Sequence, residues 1–212
     1  MSAVTQPRSP GESGSRSRIA AQPAARYRWY VRIILALQQR KYGAALAPAL
    51  LWGRLPRAFL ALTLLYRAID RASSPLEPGL RSLLQVHISR INGCAFCVDF
   101  NSAAAVARQV AAPKLAAFAD HDRSQLFTER ERAALAYAEA VTLPASAAAE
   151  AGFERLRAHF SEQEILELTA LIAFQNLSSK FNAALGVPTQ GFCATDPEAR
   201  RTEAHEPSNP GR

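Results

Sequence analysis

The chain has only three cysteines in 212 residues. A disulfide-stapled scaffold needs a denser set, and a chain this long buries a core without one. The thiols are therefore expected to be reduced unless they take part in chemistry. Long apolar runs are also missing. The longest, "AFLALTLLY" at 58–66, is roughly half of what a membrane-spanning helix needs, and Arg57 and Arg67 bound it. The opening residues, "MSAVTQPRSPGESGSRSRIAAQPA", lack an apolar core of signal-peptide length, so a cytoplasmic location is expected. Strand signals are nearly absent: there is no sustained period-two alternation and no Asn-Gly hairpin between β-branched runs. Acids are scarce early in the chain. Between Arg26 and Arg71 there are eight Arg and one Lys against a single acid, Asp70, within an overall net charge of +7 and a pI of about 9.8. No aromatic-interleaved basic cluster accompanies the excess, so it reads as Arg spread around helices, with neither nucleic acid nor membrane expected as a partner.

What is present is helical patterning, and the fold class expected is all-α. Residues 1–25 and 194–212 are rich in Ser, Pro, Gly and Arg and too poor in large apolar side chains to fold, which leaves 26–193 as the folded part. "RYRWYVRIILALQQRKYG" carries apolar Trp29, Ile33, Leu35 and Leu37 and stops at Gly43. "LPRAFLALTLLYRAID" is a second helix. "PLEPGLRSLLQVHISRI" is a third, with Leu80, Leu83, Leu84 and Ile88 on one face, ended by Asn92-Gly93. A fourth runs from about Cys94 to about Gln109, and "APKLAAFADH" is a short fifth. Thr128 with Glu131 and Ser161 with Glu164 are capping boxes that open two more, with "AAAEAGFERLRAHF" between them.

The chemistry-bearing stretch is "INGCAFCVDFN" at 91–101. Cys94 and Cys97, three apart on a helix, lie on one face within disulfide reach. Cys94 follows Gly93 and so sits at a helix N-terminus, where unpaired N–H groups and the dipole stabilise a thiolate. Redox cycling is one reading. Half of a zinc site is another, but no second ligand pair accompanies it: His121 and His159 stand alone and Cys193 is distant, so no metal is expected. Two inert core cysteines are the third. Asp99, two residues past Cys97, turns away from the cysteine face and reads as a solvated charge.

"LRSLLQVHISRINGCAFCVDFN" resembles the core of the carboxymuconolactone decarboxylase and alkylhydroperoxidase D-like family, Cys-x-x-Cys branch. The likeness continues through 126–142 and 159–188 and covers roughly residues 40–193. The resemblance implies an alkylhydroperoxidase D-like helical bundle that assembles as a trimer or hexamer. It also implies a dithiol that reduces a small peroxide and is recharged by an external dithiol such as a lipoamide or a thioredoxin-like protein, with no bound cofactor. By that analogy Cys97 attacks and Cys94 resolves. Members that decarboxylate carboxymuconolactone do not depend on the cysteine pair, so its presence points away from that reaction.

The chain departs from the pattern twice. Where the peroxidase pattern has Glu twelve residues before the first cysteine, this chain has Ser82. Where it has His four residues after the second, this chain has Asn101. Ser and Asn order a water but do not act as bases near neutral pH. His87, seven residues before Cys94, is the histidine nearest in sequence and the candidate replacement base. The expected function is a cysteine-based, thiol-dependent peroxidase-like oxidoreductase. A redox sensor or thiol–disulfide exchange module that lost the proton relay, acting with a disulfide substrate and a reducing partner protein, is the alternative. A decarboxylase-like enzyme on a small carboxylic acid is the third.

Overall fold

The computed structural model describes residues 17–143 and 148–193. Every regular element among the described residues is a helix, with no strand. They form α1 (Trp29–Tyr42), α2 (Ala47–Trp52), α3 (Pro56–Ile69), α4 (Pro78–Ile91), α5 (Ala95–Ala107), α6 (Ala112–Ala116), α7 (Glu129–Thr142), α8 (Ala148–Arg157) and α9 (Glu162–Ala184). Short 3-10 turns lie at Ala24–Arg26 and Phe118–Asp120. Both expected capping boxes are present: Thr128 and Ser161 each accept the backbone N–H of the Glu three residues on. No helix among the described residues is long and apolar enough to cross a membrane.

The centre of the bundle is α4, packed against α5, α7 and α9. Ten consecutive residues, Leu80 to Ser89, are buried, so all of its faces are covered. Leu80, Leu83, Leu84 and Ile88 join the main core with Leu135, Leu168, Leu171 and Ile172. Its buried side chains include four polar ones with partners. Arg81 meets Asp70, Ser82 accepts from Arg108, His87 meets Glu139, and Ser89 is bonded on several sides. This helix distributes polar groups to three separate places in the fold.

Three expectations change. On α1 the buried residues are Val31 and Leu35; Trp29, Ile33 and Leu37 form an exposed stripe, because α3 and the α2 region pack on the other side. The helix Ala47–Trp52 was not expected; with six residues it is too short to show a period. Residues 17–25, expected to be without structure, include Arg18, whose backbone N–H and guanidinium donate to the carbonyls of Leu185 and Ala184 at the end of α9. The same expectation for residues 1–16 and 194–212 lies outside the described residues.

Candidate active site

The turn between α4 and α5 makes the site. Cys94 N–H donates to the Ser89 carbonyl and Gly93 N–H to that of Arg90, both at 3.0 Å, which is the paired closure of a Schellman motif. Gly93 takes φ +62°, a left-handed value that costs glycine little. The chain thus reverses within three residues, and Cys94 becomes the N-cap of α5. Asn92 fastens the turn to α9 through Asn176 Oδ1 (2.9 Å) and Ser179 Oγ (2.8 Å).

Cys94 and Cys97 are joined in a disulfide, with Cα atoms 5.2 Å apart. Each sulfur has its own hydrogen-bond donor. Cys97 N–H donates to Cys94 Sγ at 3.1 Å, the N-cap bond that Ser or Asp makes elsewhere. Asn182 Nδ2 of α9 donates to Cys97 Sγ at 3.2 Å. These donors suit thiolates better than thiols, since a charged acceptor strengthens the bond. Cys94 is 1% exposed and Cys97 4%. Leu51, Phe96 and Val187 pack around them, with Phe100, Phe181 and Phe192 at the edge.

One turn along α5 from Cys97, Asn101 Nδ2 donates to Ser89 Oγ (3.2 Å). Gln175 Nε2 of α9 donates to the same oxygen (2.9 Å), and Ser89 Oγ–H donates to the Gln85 carbonyl. Ser89, Asn101 and Gln175 thus form a neutral, buried set one helical turn along α5 from Cys97, and Asn182 alone of the described polar side chains donates to a sulfur. Ser89, Gln175 and Asn182 were not singled out from the sequence, although α9 carried a signal. Its buried stripe runs Ile165, Leu168, Ile172, Gln175, Ser179, Asn182, at alternating steps of three and four. The apolar stripe turns polar just where it meets the turn.

Of the candidate relay residues, the structure brings only Asn101 to the dithiol. Ser82 lies seven residues earlier on α4 than Ser89, about 10 Å away along the helix. There its hydroxyl accepts from Arg108 Nη1 (3.2 Å), beside Asp70, which pairs with Arg81 and Arg108 at 2.6 Å each. Burial, with the Asp70 charge adding to it, pushes the neighbouring Tyr66 phenol up to about 12. His87 is two residues from Ser89, hence about 200° around α4. It faces α7, with Nε2 2.9 Å from Glu139 Oε1, and its ring lies 5.1 Å from that of His121. So His121 is not alone: it stands beside His87. Asp99 does turn away from the cysteines, but it is buried. It accepts the backbone N–H groups of Gln190 (2.9 Å) and Cys193 (2.8 Å), because the segment after α9 returns across the start of α5. This clasp holds the C-terminal segment over the dithiol.

A helical bundle with a Cys-x-x-Cys disulfide at the N-cap of a buried helix defines the alkylhydroperoxidase D-like class. The chain belongs to the carboxymuconolactone decarboxylase family, whose model matches residues 56–140. YnjA of Escherichia coli (strain K12) is 43% identical over 164 residues, spanning 77% of this chain and 90% of YnjA. The alkylhydroperoxidase core structure of a peroxidase-related protein from Ralstonia eutropha JMP134 matches with a TM-score of 0.72 at 25% identity, over 85% of this chain and 96% of that one. The debrominase Bmp8 in its apo form matches with a TM-score of 0.66 at 25% identity, over 77% and 88%. The fold thus occurs in proteins named for peroxidase relatedness and for debromination.

Proposed function

We propose that the protein is a thiol-dependent oxidoreductase that cycles Cys94 and Cys97 between dithiol and disulfide, with a small hydroperoxide as oxidant. The observation that carries this reading is the pair itself: two sulfurs in bonding reach, each with its own donor, at a helix N-terminus. The Cys97 thiolate attacks the terminal oxygen of ROOH, the O–O bond breaks, and the alkoxide leaves as ROH after taking a proton from water. Cys97 is then a sulfenic acid. The Cys94 thiol attacks its sulfur, the disulfide forms and water leaves. An external dithiol, of the lipoamide or thioredoxin-like kind, returns two electrons and two protons and is itself oxidised.

In this scheme Asn101, held by Ser89, orders a water beside Cys97 and has no proton of its own to give near neutrality. That neutral set favours a second reading, thiol–disulfide exchange without peroxide turnover, since a thiol leaves more readily than an alkoxide. Burial of both sulfurs restricts either reaction to small reagents unless the clasped segment lifts. The test is peroxide consumption under steady dithiol supply, wild type beside Cys97→Ser and Cys94→Ser. Turnover lost in Cys97→Ser supports the first reading. No turnover in the wild type, with the disulfide still exchanging with added dithiol, replaces it by the second.

A further inference from the structure

On the side of α4 away from the dithiol, three side chains from three segments converge. His87 Nε2 is 2.9 Å from Glu139 Oε1, and His121 Nδ1 is 3.9 Å from the same oxygen. One donor atom from each residue lies within 4.8 Å of the others. Both imidazoles are buried, His87 at 5% and His121 at 6% exposure, while the Glu139 side chain, 39% exposed, opens the cluster to solvent. Phe118 stacks on His87 and Phe127 stands edge-on to His121. The charges facing the cluster are Asp122, held by Arg155 at 3.0 Å, and Arg90, which lies over the Phe118 ring.

A structural His–Glu pair needs one histidine; here a second buried imidazole stands beside the same carboxylate, its ring 5.1 Å from the first. Two neutral imidazoles and one carboxylate are a common three-ligand set for a divalent ion that keeps a water in the fourth position. Tetrahedral zinc with bonds of about 2.0–2.1 Å places its ligand atoms about 3.3–3.5 Å apart. The two separations from Glu139 Oε1, 2.9 and 3.9 Å, bracket that value, and the edge between the imidazoles lies within 4.8 Å, so the shell closes when side-chain rotations bring the two rings together. His121 Nδ1 also reaches the Phe118 carbonyl at 2.9 Å. That contact orients the ring if Nε2 coordinates and is released if Nδ1 does.

We propose that His87, His121 and Glu139 form a site for one divalent ion of the zinc class, tying α4, the segment after the second 3-10 turn, and α7. The site is independent of the dithiol and of its proposed chemistry. The test uses the full-length chain without a histidine tag, with Cys94 and Cys97 oxidised and Cys193→Ser, so that no thiol competes for metal. Cobalt(II) and then zinc(II) are the probes. The expected result is one cobalt per chain with a visible ligand-field band, displacement by zinc, and a Tm that rises with metal concentration. Glu139→Gln and His121→Gln each weaken binding by at least ~100-fold, the upper end of what losing an outer-sphere partner costs, while His159→Gln leaves it unchanged. Glu139→Gln keeps the shape of a part-exposed side chain, so it decides the matter should His121→Gln disturb the fold. Absence of saturable binding up to ~1 mM metal, far above the range of a specific site, overturns the proposal. So does one-to-one binding that survives Glu139→Gln.

Discussion

Asn182 makes the sharpest test of how the site favours its reduced state. Its Nδ2 donates to Cys97 Sγ, and its Oδ1 is buried without a hydrogen-bond partner. Against a disulfide sulfur, a weak acceptor, the bond is worth little. Against a thiolate it is charge-assisted and worth about 1.5–3 kcal/mol. Asn182→Leu keeps the volume and removes both the donor and the orphan oxygen. The thiolate population at a fixed pH below its titration then falls roughly 10- to 150-fold. The remaining thiolate is more basic and more nucleophilic, with a Brønsted slope of about 0.4–0.5, so the observed alkylation rate falls only about 3- to 20-fold. Stability of the oxidised protein changes by less than about 1 kcal/mol, because the lost bond is weak and the unpaired oxygen goes with it. The assay is iodoacetamide alkylation at neutral pH in a Cys94→Ser, Cys193→Ser background, with and without Asn182→Leu, beside denaturant unfolding of the oxidised forms. An unchanged alkylation rate in a folded variant refutes the role given to Asn182.

Asn101→His places an imidazole one turn from Cys97 and beside Ser89; peroxide consumption is expected to rise and to gain a pH dependence near neutrality. A rate that stays flat with pH removes proton transfer as the missing element. Asp70→Asn leaves the buried Arg81 and the part-buried Arg108 without their counter-charge and is expected to cost about 3–5 kcal/mol in urea unfolding; a loss below about 1 kcal/mol contradicts this reading of the cluster. The Ser161 backbone N–H, aided by Arg130, holds the Glu164 carboxyl below the usual carboxylate range. Its contribution is therefore complete above the unfolded carboxylate titration and is lost as pH falls through the lowered folded value. Unfolding midpoints of wild type and Glu164→Gln should converge on the acid side, and a gap that stays constant with pH excludes the linkage.

The sequence shows much of the fold and only part of the site. Leu80, Leu83, Leu84 and Ile88 mark α4 because a helix that packs against three others keeps an unbroken apolar face. The turn at Asn92-Gly93 and the N-cap place of Cys94 are legible because they are local backbone chemistry. Residues whose role depends on a distant partner are not. The chain after α9 buries Asp99, and nothing near position 99 announces that return. His87 is close to Cys94 in sequence, yet the helical turn of α4 sends it to α7. The α9 stripe that ends in Gln175, Ser179 and Asn182 is readable only as a period whose chemistry changes midway. Its meaning comes from the turn it meets.

Dithiol cycling by peroxide is tested most directly by titrating the fully reduced protein with hydroperoxide, followed by thiol counting and peptide mapping. One equivalent of peroxide is expected to consume two thiols, and both are expected in a Cys94–Cys97 disulfide. Peroxide that leaves all thiols intact, or that oxidises Cys193 while Cys94 and Cys97 stay reduced, contradicts that cycling.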